Sequence, residues 1–318
     1  MKNKMTVLNL LLPQWNPLQV FPVLPMFKGY FTHHGLEVKT LDANVRFYHW
    51  LLSKDFLKIL ENHVSHTMMT NAVTRLQCEA AEHIQTVISE PEQTFDPIFN
   101  LRKQEVFEDE RQRNHALEIW ENYLTSVSIF FPPMHLSYRG LKFELPKNPE
   151  AIRNYCQNEE ENLFRLYYTH VLFDQVQNLK PDFITLSIIS NEQLLPSLIF
   201  CHLIKRLLPD IHLCVGAPLL VEYLKLGHGF EQLLPDELDS LVIGHHFEPF
   251  LALIQALEQG KPVPEHPYLL RNIKQEQHKV MEWKPILPES GYPKDYSDIN
   301  LSDYFHFSPL GTVNSHMS

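Results

Sequence analysis

The stretch from Thr6 to Asp42 constrains the fold more than any other part of the chain. TVLNLLLP is apolar from Val7 to Leu12 except at Asn9, the pattern of a strand buried on both faces. FPVLPMFKGYFTHHG then repeats apolar residues at helical spacing (Leu24, Phe27, Phe31), and Gly35 stands where a helix C-terminal glycine belongs. LEVKTLD begins a second strand that ends at Asp42. Strand, helix and strand within about 40 residues make the parallel crossover unit, because parallel strands cannot be joined by a tight turn.

Two later stretches repeat the theme. PDFITLSIISNEQLLPSLIFCHLIKRLLPDIHLCVGAP carries an apolar run from Phe183 to Ile189. Helical periodicity follows from Leu194 to Leu208, with Pro196 expected in the first turn, and then a strand from Ile211 to Val215 ending in Gly216. LDSLVIG reads as a short strand and FEPFLALIQALEQG as a helix closed by Gly260. Five strands alternating with helices predict an α/β fold with a doubly wound five-stranded parallel sheet. The flavodoxin-like (Rossmann-like) strand order 2-1-3-4-5 is the expected one.

Residues 46–180 break the alternation. HWLLSKDFLKIL, AVTRLQCEAAEHIQTVI, RNHALEIWENYLTSV and EENLFRLYYTHVLFDQVQNL read as amphipathic helices, and SIFFPPMHLSYRGLKFELP as a Pro-Pro turn with a small hairpin. This is too long for an ordinary crossover and reads as a large helical insertion between strands two and three. The expected organisation is therefore residues 1–45 and 181–262 as two parts of one α/β domain, 46–180 as the insertion, and 263–318 as an extended tail or linker rich in proline, lysine and tyrosine.

Composition narrows the function. The 318 residues carry a formal net charge of -11, so a nucleic-acid partner is a poor expectation: no basic excess exists to neutralise phosphates. The four cysteines lie far apart without a CxxC pair, which fits reduced thiols in a cytoplasmic protein. The opening apolar run is too short for a signal peptide and ends in Pro-Gln-Trp-Asn-Pro. No segment offers the roughly 18 uninterrupted apolar residues of a membrane span, so a membrane is not an expected partner.

Open parallel sheets bind ligands outside the carboxyl ends of their strands. The residues expected there are Trp15, Asn16 and Leu18; Asp42 and Asn44; Ser187, Ser190 and Gln193; Gly216, Ala217 and Pro218; and Gly244, His245 and Glu248. Small and polar side chains gather in this set, as a ligand cleft needs. They are also what any turn of an α/β protein needs, and both readings stay open. The adjacent His245 and His246 invite a metal reading. Neighbouring loop residues rarely aim at one ion, and no Asp or Cys at fitting spacing completes a tetrahedral set. Neither a nucleophile elbow, a P-loop nor a dinucleotide fingerprint is present, and no catalytic residue can be singled out.

Taken in order, LLLPQWNP, PVLPMFKGYFTHHGLEVKTLDANVRFYHWLL, the Lys180–Pro218 stretch and LDSLVIGHHFEPFLALIQALEQGKPV resemble the N-terminal cobalamin-binding region of B12-dependent radical SAM enzymes. The resemblance covers about Val7 to Leu52 and Pro181 to Val263. In that family the last segment commonly reads strand, Gly-Glu-Gly-Glu, helix. Here Gly244, His245 and His246 occupy the loop and Glu248 opens the helix. The resemblance implies cobalamin as cofactor. The Asp-x-His-x-x-Gly motif that supplies an axial histidine is missing, which implies base-off binding with no protein histidine on cobalt and with Trp15, Asn16, Leu18 or Val20 nearest the lower face. The Cys-x-x-x-Cys-x-x-Cys of a [4Fe–4S] cluster is absent too, so this chain is not expected to perform radical SAM chemistry alone. Methyl transfer would require a radical SAM partner or a further segment. The alternative expectation is a non-catalytic interaction module that has lost cobalamin. A weaker third is a flavin- or nucleotide-binding protein, disfavoured because no phosphate-cradling loop follows strand one.

Overall fold

Strands that alternate with helices along the chain meet side by side in the computed structural model. It describes residues 4–70, 72–143, 149–157, 162–217, 238–244, 247–266, 268–271 and 291–306. The opening crossover is β1 (Thr6–Leu11), α1 (Val23–His33) and β2 (Glu37–Asp42). Next come α2 (Ala43–Leu51), α3 (Lys54–Thr70), α4 (Arg75–Ser89), α5 (Pro91–Asn100), α6 (Gln104–Glu108) and α7 (Glu110–Ile129). The hairpin β3 (Met134–Ser137) and β4 (Gly140–Phe143) follows, then α8 (Pro149–Gln157), α9 (Leu163–Tyr167), a short π-helix at Tyr168–Leu172 and α10 (Phe173–Leu179). The alternation resumes with β5 (Phe183–Ser187), α11 (Asn191–Leu207), β6 (His212–Ala217), β7 (Ser240–Ile243), α12 (Glu248–Gln259) and β8 (Leu269–Arg271).

The main sheet is ordered β2-β1-β5-β6-β7-β8. Its first five strands pair parallel, and β8 runs antiparallel to β7. The protein is thus α/β with a mostly parallel sheet, as expected, but the sheet has six strands rather than five. Three residues are too few for alternation to show in a sequence, and β8 forms because it covers the edge that β7 would otherwise leave open. Helix α11 also begins at Asn191, three residues before the apolar period starts, so Pro196 falls in its second turn. The Pro196 carbonyl accepts a hydrogen bond from the Tyr168 hydroxyl at 3.0 Å. Gly260 closes α12 at φ 62°, a left-handed conformation in which a side chain would clash with its own backbone.

Parallel register aligns Thr40, Asn9, Thr185, Cys214 and Ser240 in one row across β2, β1, β5, β6 and β7. All five are buried. The Asn9 amide donates to the Leu24 carbonyl of α1 at 3.3 Å, which explains a polar residue inside an apolar strand. Two residues toward the strand amino ends, on the same face, lie Val7, Val38 and Phe183, which pack with Phe27 and Phe31 of α1 and with Leu253 and Ile254 of α12.

The chain divides into two compact units. The sheet unit comprises Met1–Gln14, Phe21–Ala43 and Leu145–Ile299; the helical unit comprises Trp15–Val20, Asn44–Glu144 and Asn300–Ser318. The residues read as one insertion, 46–180, are thus shared, with α3 to α7 in the helical unit and α8 to α10 in the sheet unit. In the helical unit Trp120 and Tyr123 of α7 are fully buried, and the Tyr123 hydroxyl donates to the Leu51 carbonyl at 2.7 Å. Thr74 and Gln77 form a reciprocal capping box that starts α4.

The region read as a tail, 263–318, supplies β8 and is tied down at two further places. In the sheet unit, Asp295 N–H donates to the Pro25 carbonyl at 3.0 Å, and Asp298 Oδ2 lies 2.6 Å from Lys28 Nζ while accepting the Thr40 N–H at 2.8 Å. In the helical unit, Phe305 N–H donates to the Pro17 carbonyl at 3.1 Å, and the Phe305 ring is fully buried.

Candidate functional site

At the carboxyl ends of β5 and β6 the sheet unit assembles a small polar set. Ser187 pairs with Gly216 across the two strands, and the next residue, Ile188, donates its N–H to the Gly216 carbonyl at 2.8 Å. The loop then turns into α11 through Ser190, which occupies the N-cap in extended geometry with its side chain making no cap bond. Gln193 completes the turn. Its N–H donates to the Ser190 carbonyl at 3.2 Å, and its Oε1 accepts the Ile189 N–H at 3.1 Å.

That geometry fixes the Gln193 carboxamide inside the β5–α11 loop. Its side chain is fully buried, and Nε2 has no hydrogen-bond partner among the described residues. An unsatisfied buried donor costs roughly 1–3 kcal/mol. Gln193 shares this condition with buried side-chain atoms outside the loop, among them Ser197 Oγ and Trp120 Nε1. The same loop opens a 17-residue helix, whose first N–H groups carry positive dipole character. A buried donor and a helix N-terminus thus share this loop, a combination whose chemistry suits an acceptor such as a carboxamide oxygen or a phosphate.

The remaining expected residues divide. Asp42 ends β2 and is buried, Ala217 is fully buried beside Ile243, and Glu248 is exposed at the start of α12. Gly244 follows β7 at φ 87°. Pro218 and His245, with His246, lie outside the described residues. Trp15, Asn16, Leu18 and Asn44 belong to the helical unit and form a set of their own. The Trp15 N–H donates to Asn44 Oδ1 at 2.9 Å, and the Leu18 N–H to Asn16 Oδ1 at 2.9 Å. Asn44 is fully buried, and its Nδ2 has no partner among the described residues.

Gly216 has a reason of its own to lack a side chain. A Cβ there would sit 2.8 Å from Cζ of Phe250, so the α12 side of this position is filled by a ring. Sequence reasoning assigned the glycine to ligand approach and missed Phe250, because nothing in FEPF announces which strand the second phenylalanine meets. The fit to a corrinoid is accordingly uneven. The Ser187–Gln193 loop offers a buried donor that suits a carboxamide-rimmed ligand, whereas Gly216 offers no open cradle toward α12.

An open groove of about 810 Å³ lies at the opposite end of the sheet, near the strand amino ends, lined by Met5, Lys180, Asp182, Leu207, Leu208 and His212 among others. None of the expected residues lines it. Among the described residues no group of three or more His, Cys, Asp or Glu side chains could hold a metal ion, and no helix is long and apolar enough to cross a membrane. Burial pushes the Cys214 thiol up to about 12, so it is protonated and inert at neutral pH.

Fold and site define an α/β protein with a mostly parallel sheet and a donor-rich loop at its strand carboxyl ends. Comparison with family models, with curated proteins and with solved structures gave no match.

Proposed function

We propose that the chain is a corrinoid-binding protein, its five parallel strands wound in the flavodoxin-like manner and its ligand held at the strand carboxyl ends. The carrying observation is the Gln193 carboxamide, with a buried, unpartnered Nε2 in the loop that opens α11. Cobalamin presents carboxamide oxygens around the corrin and a phosphate in its nucleotide tail, both acceptors for such a donor. Ser187 and Ser190, half-buried in the same loop, add hydroxyls within one helical turn. The protein would serve as carrier, and any methyl transfer would draw on a cluster-bearing partner.

The packing of Phe250 against Gly216 favours a second reading, a non-catalytic interaction module that keeps the fold without the ligand. Anaerobic titration with hydroxocobalamin, followed by visible absorption and calorimetry, separates the two. The carrier reading expects saturable one-to-one binding with the spectral change of lost base coordination, and affinity at least about tenfold weaker in Gln193→Leu. Absence of binding at high micromolar cobalamin overturns it and leaves the interaction module.

A further inference from the structure

The segment from Asn300 to His306 docks in the helical unit on a cluster built from α2, α7 and the turn after α5. Its Phe305 ring lies 4.6 Å from Trp120, 5.9 Å from Phe99 and 4.9 Å from His49, centre to centre. The Arg102 guanidinium sits 5.2 Å from the Phe99 ring centre and 4.8 Å from that of Phe305. At the middle stands one nitrogen with two partners. His49 Nε2 is 2.8 Å from the Asp303 carbonyl oxygen and 2.9 Å from Arg102 Nη2, and Nη2 itself donates to that carbonyl at 3.2 Å.

These contacts make incompatible demands. Donation to Asp303 needs a hydrogen on Nε2; acceptance from Arg102 needs a lone pair there. A neutral ring satisfies either by changing tautomer, and the guanidinium keeps the carbonyl in both cases. An imidazolium keeps the first but puts a second cation 2.9 Å from Arg102, so its cost falls on the contacts by which Arg102 itself holds the segment, the Asp303 carbonyl and the Phe305 ring.

We propose that His49 and Arg102 form a proton-sensitive clasp that holds residues 300–306 when the ring is neutral and releases them when it takes a proton. The charged groups acting on the ring are Arg102 from the turn after α5, Asp303 from the docked segment and Arg46 from α2 itself. Burial lowers the ring's proton affinity most. The Asp303 carbonyl opposes it, Arg102 and Arg46 lower it further, and the net displacement is below 6.5. The sign follows. Burial under the docked segment disfavours the protonated ring and outweighs the opposing pull of Asp303, so this contribution to docking is present above the ordinary histidine value of 6.5 and is lost as pH falls from there through the lower value of the docked ring. The loss runs at up to about tenfold in the docking equilibrium per pH unit, until the docked ring itself titrates.

Hydrogen exchange on the full chain tests the clasp. Protection of the Asp303, Tyr304 and Phe305 amides, normalised to intrinsic rates, is compared between about pH 7.5 and about pH 5.5, with residues 291–299 as internal reference. The clasp predicts a fall of up to about tenfold in 300–306 and none in the reference. His49→Gln, which keeps a donor but cannot titrate, should flatten the profile. His306 is also held below the ordinary histidine range by burial and touches Phe107 at 4.0 Å, so His306→Asn is the control and should keep the fall. If His49→Gln leaves 300–306 unprotected at about pH 7.5, Arg102→Gln replaces it and should make the fall shallower. A flat wild-type profile, a fall unchanged in the informative clasp variant, or one abolished by His306→Asn overturns the proposal.

Discussion

Residues 291–299 and 300–306 follow one another in the chain yet are held by opposite kinds of chemistry. The first stretch is fastened by charge. Lys28 Nζ, on a side chain only 7% exposed, meets Asp298 at 2.6 Å and the Ser297 hydroxyl at 2.6 Å, with Asp295 at 4.0 Å. The second is fastened by rings, with Phe305 among Trp120, Phe99 and His49 and a single guanidinium across two of them. An ion pair in which only the lysine is buried adds little net stability but punishes the loss of its carboxylate, because the buried ammonium keeps little solvent and only a more distant counter-ion. A buried ring contributes through area and close packing, and its removal costs in proportion to the gap it leaves.

Phe305→Ala should therefore have the largest effect, about 3 kcal/mol in urea unfolding, with protection lost in 300–306 and retained in 291–299. Loss of protection in both stretches would break the distinction. Asp298→Ala comes next, at about 2–3 kcal/mol, since Lys28 would keep only Ser297 and the more distant Asp295, and the Thr40 N–H of the sheet-edge strand would lose its acceptor. The sharper form of this test is the double change Lys28→Met with Asp298→Leu. It should recover much of the loss, because an apolar pair leaves no charge unpaired. Failure to recover would mean that geometry rather than charge holds the first stretch.

Acid separates the stretches further. Burial raises the Asp295 proton affinity, but hydrogen bonds from Ser297 and the nearby Lys28 outweigh it, and the carboxyl ends below its ordinary 3.8. A carboxylate depressed in this way stabilises the folded form above about pH 4 and loses that contribution as pH falls through its folded value. Release of 291–299 should thus begin only below about pH 4, whereas the His49 clasp begins to loosen as pH falls below the ordinary histidine value of 6.5. Exchange profiles that fell together in both stretches would remove the contrast.

How much of this is written legibly in the sequence depends on distance along the chain. The crossover from Val7 to Asp42 shows itself because period-2 and period-3.6 patterns and a closing glycine are local signals. The β5–α11 loop shows itself for the same reason: Ser187, Ser190 and Gln193 stand between a strand and a helix that periodicity reveals. The pairing of Lys28 with Asp298 does not, since 270 positions separate the two and YPKDYSDINLSDYF carries no period. Asn9 is an intermediate case. The sequence displays it as an interruption of an apolar strand, but only the parallel register aligns it with Thr40, Thr185, Cys214 and Ser240. Three-residue β8 and the Phe250 ring against Gly216 depend on which elements become neighbours, and nothing local encodes that.

The smallest expected effect tests whether the ring-held stretch needs its local turn. Asn300 Oδ1 accepts the Ser302 N–H at 3.2 Å and its hydroxyl at 2.8 Å, while Nδ2 donates to Asp303 Oδ1 at 2.8 Å. These bonds shape the 3₁₀ turn at Leu301–Asp303 that presents the Asp303 carbonyl to His49 and Arg102. Asn300→Ala removes all three and should cost about 1 kcal/mol, as loss of a capping side chain does, with Asn300→Asp recovering the accepting part. Because Ser302 is exposed and Asp303 half-buried while Phe305 is fully buried, the substitution should raise exchange at Ser302 and Asp303 more than at Phe305. An equal rise at all three would mean that the rings hold the segment only after the turn has formed, making local backbone order the first condition of docking.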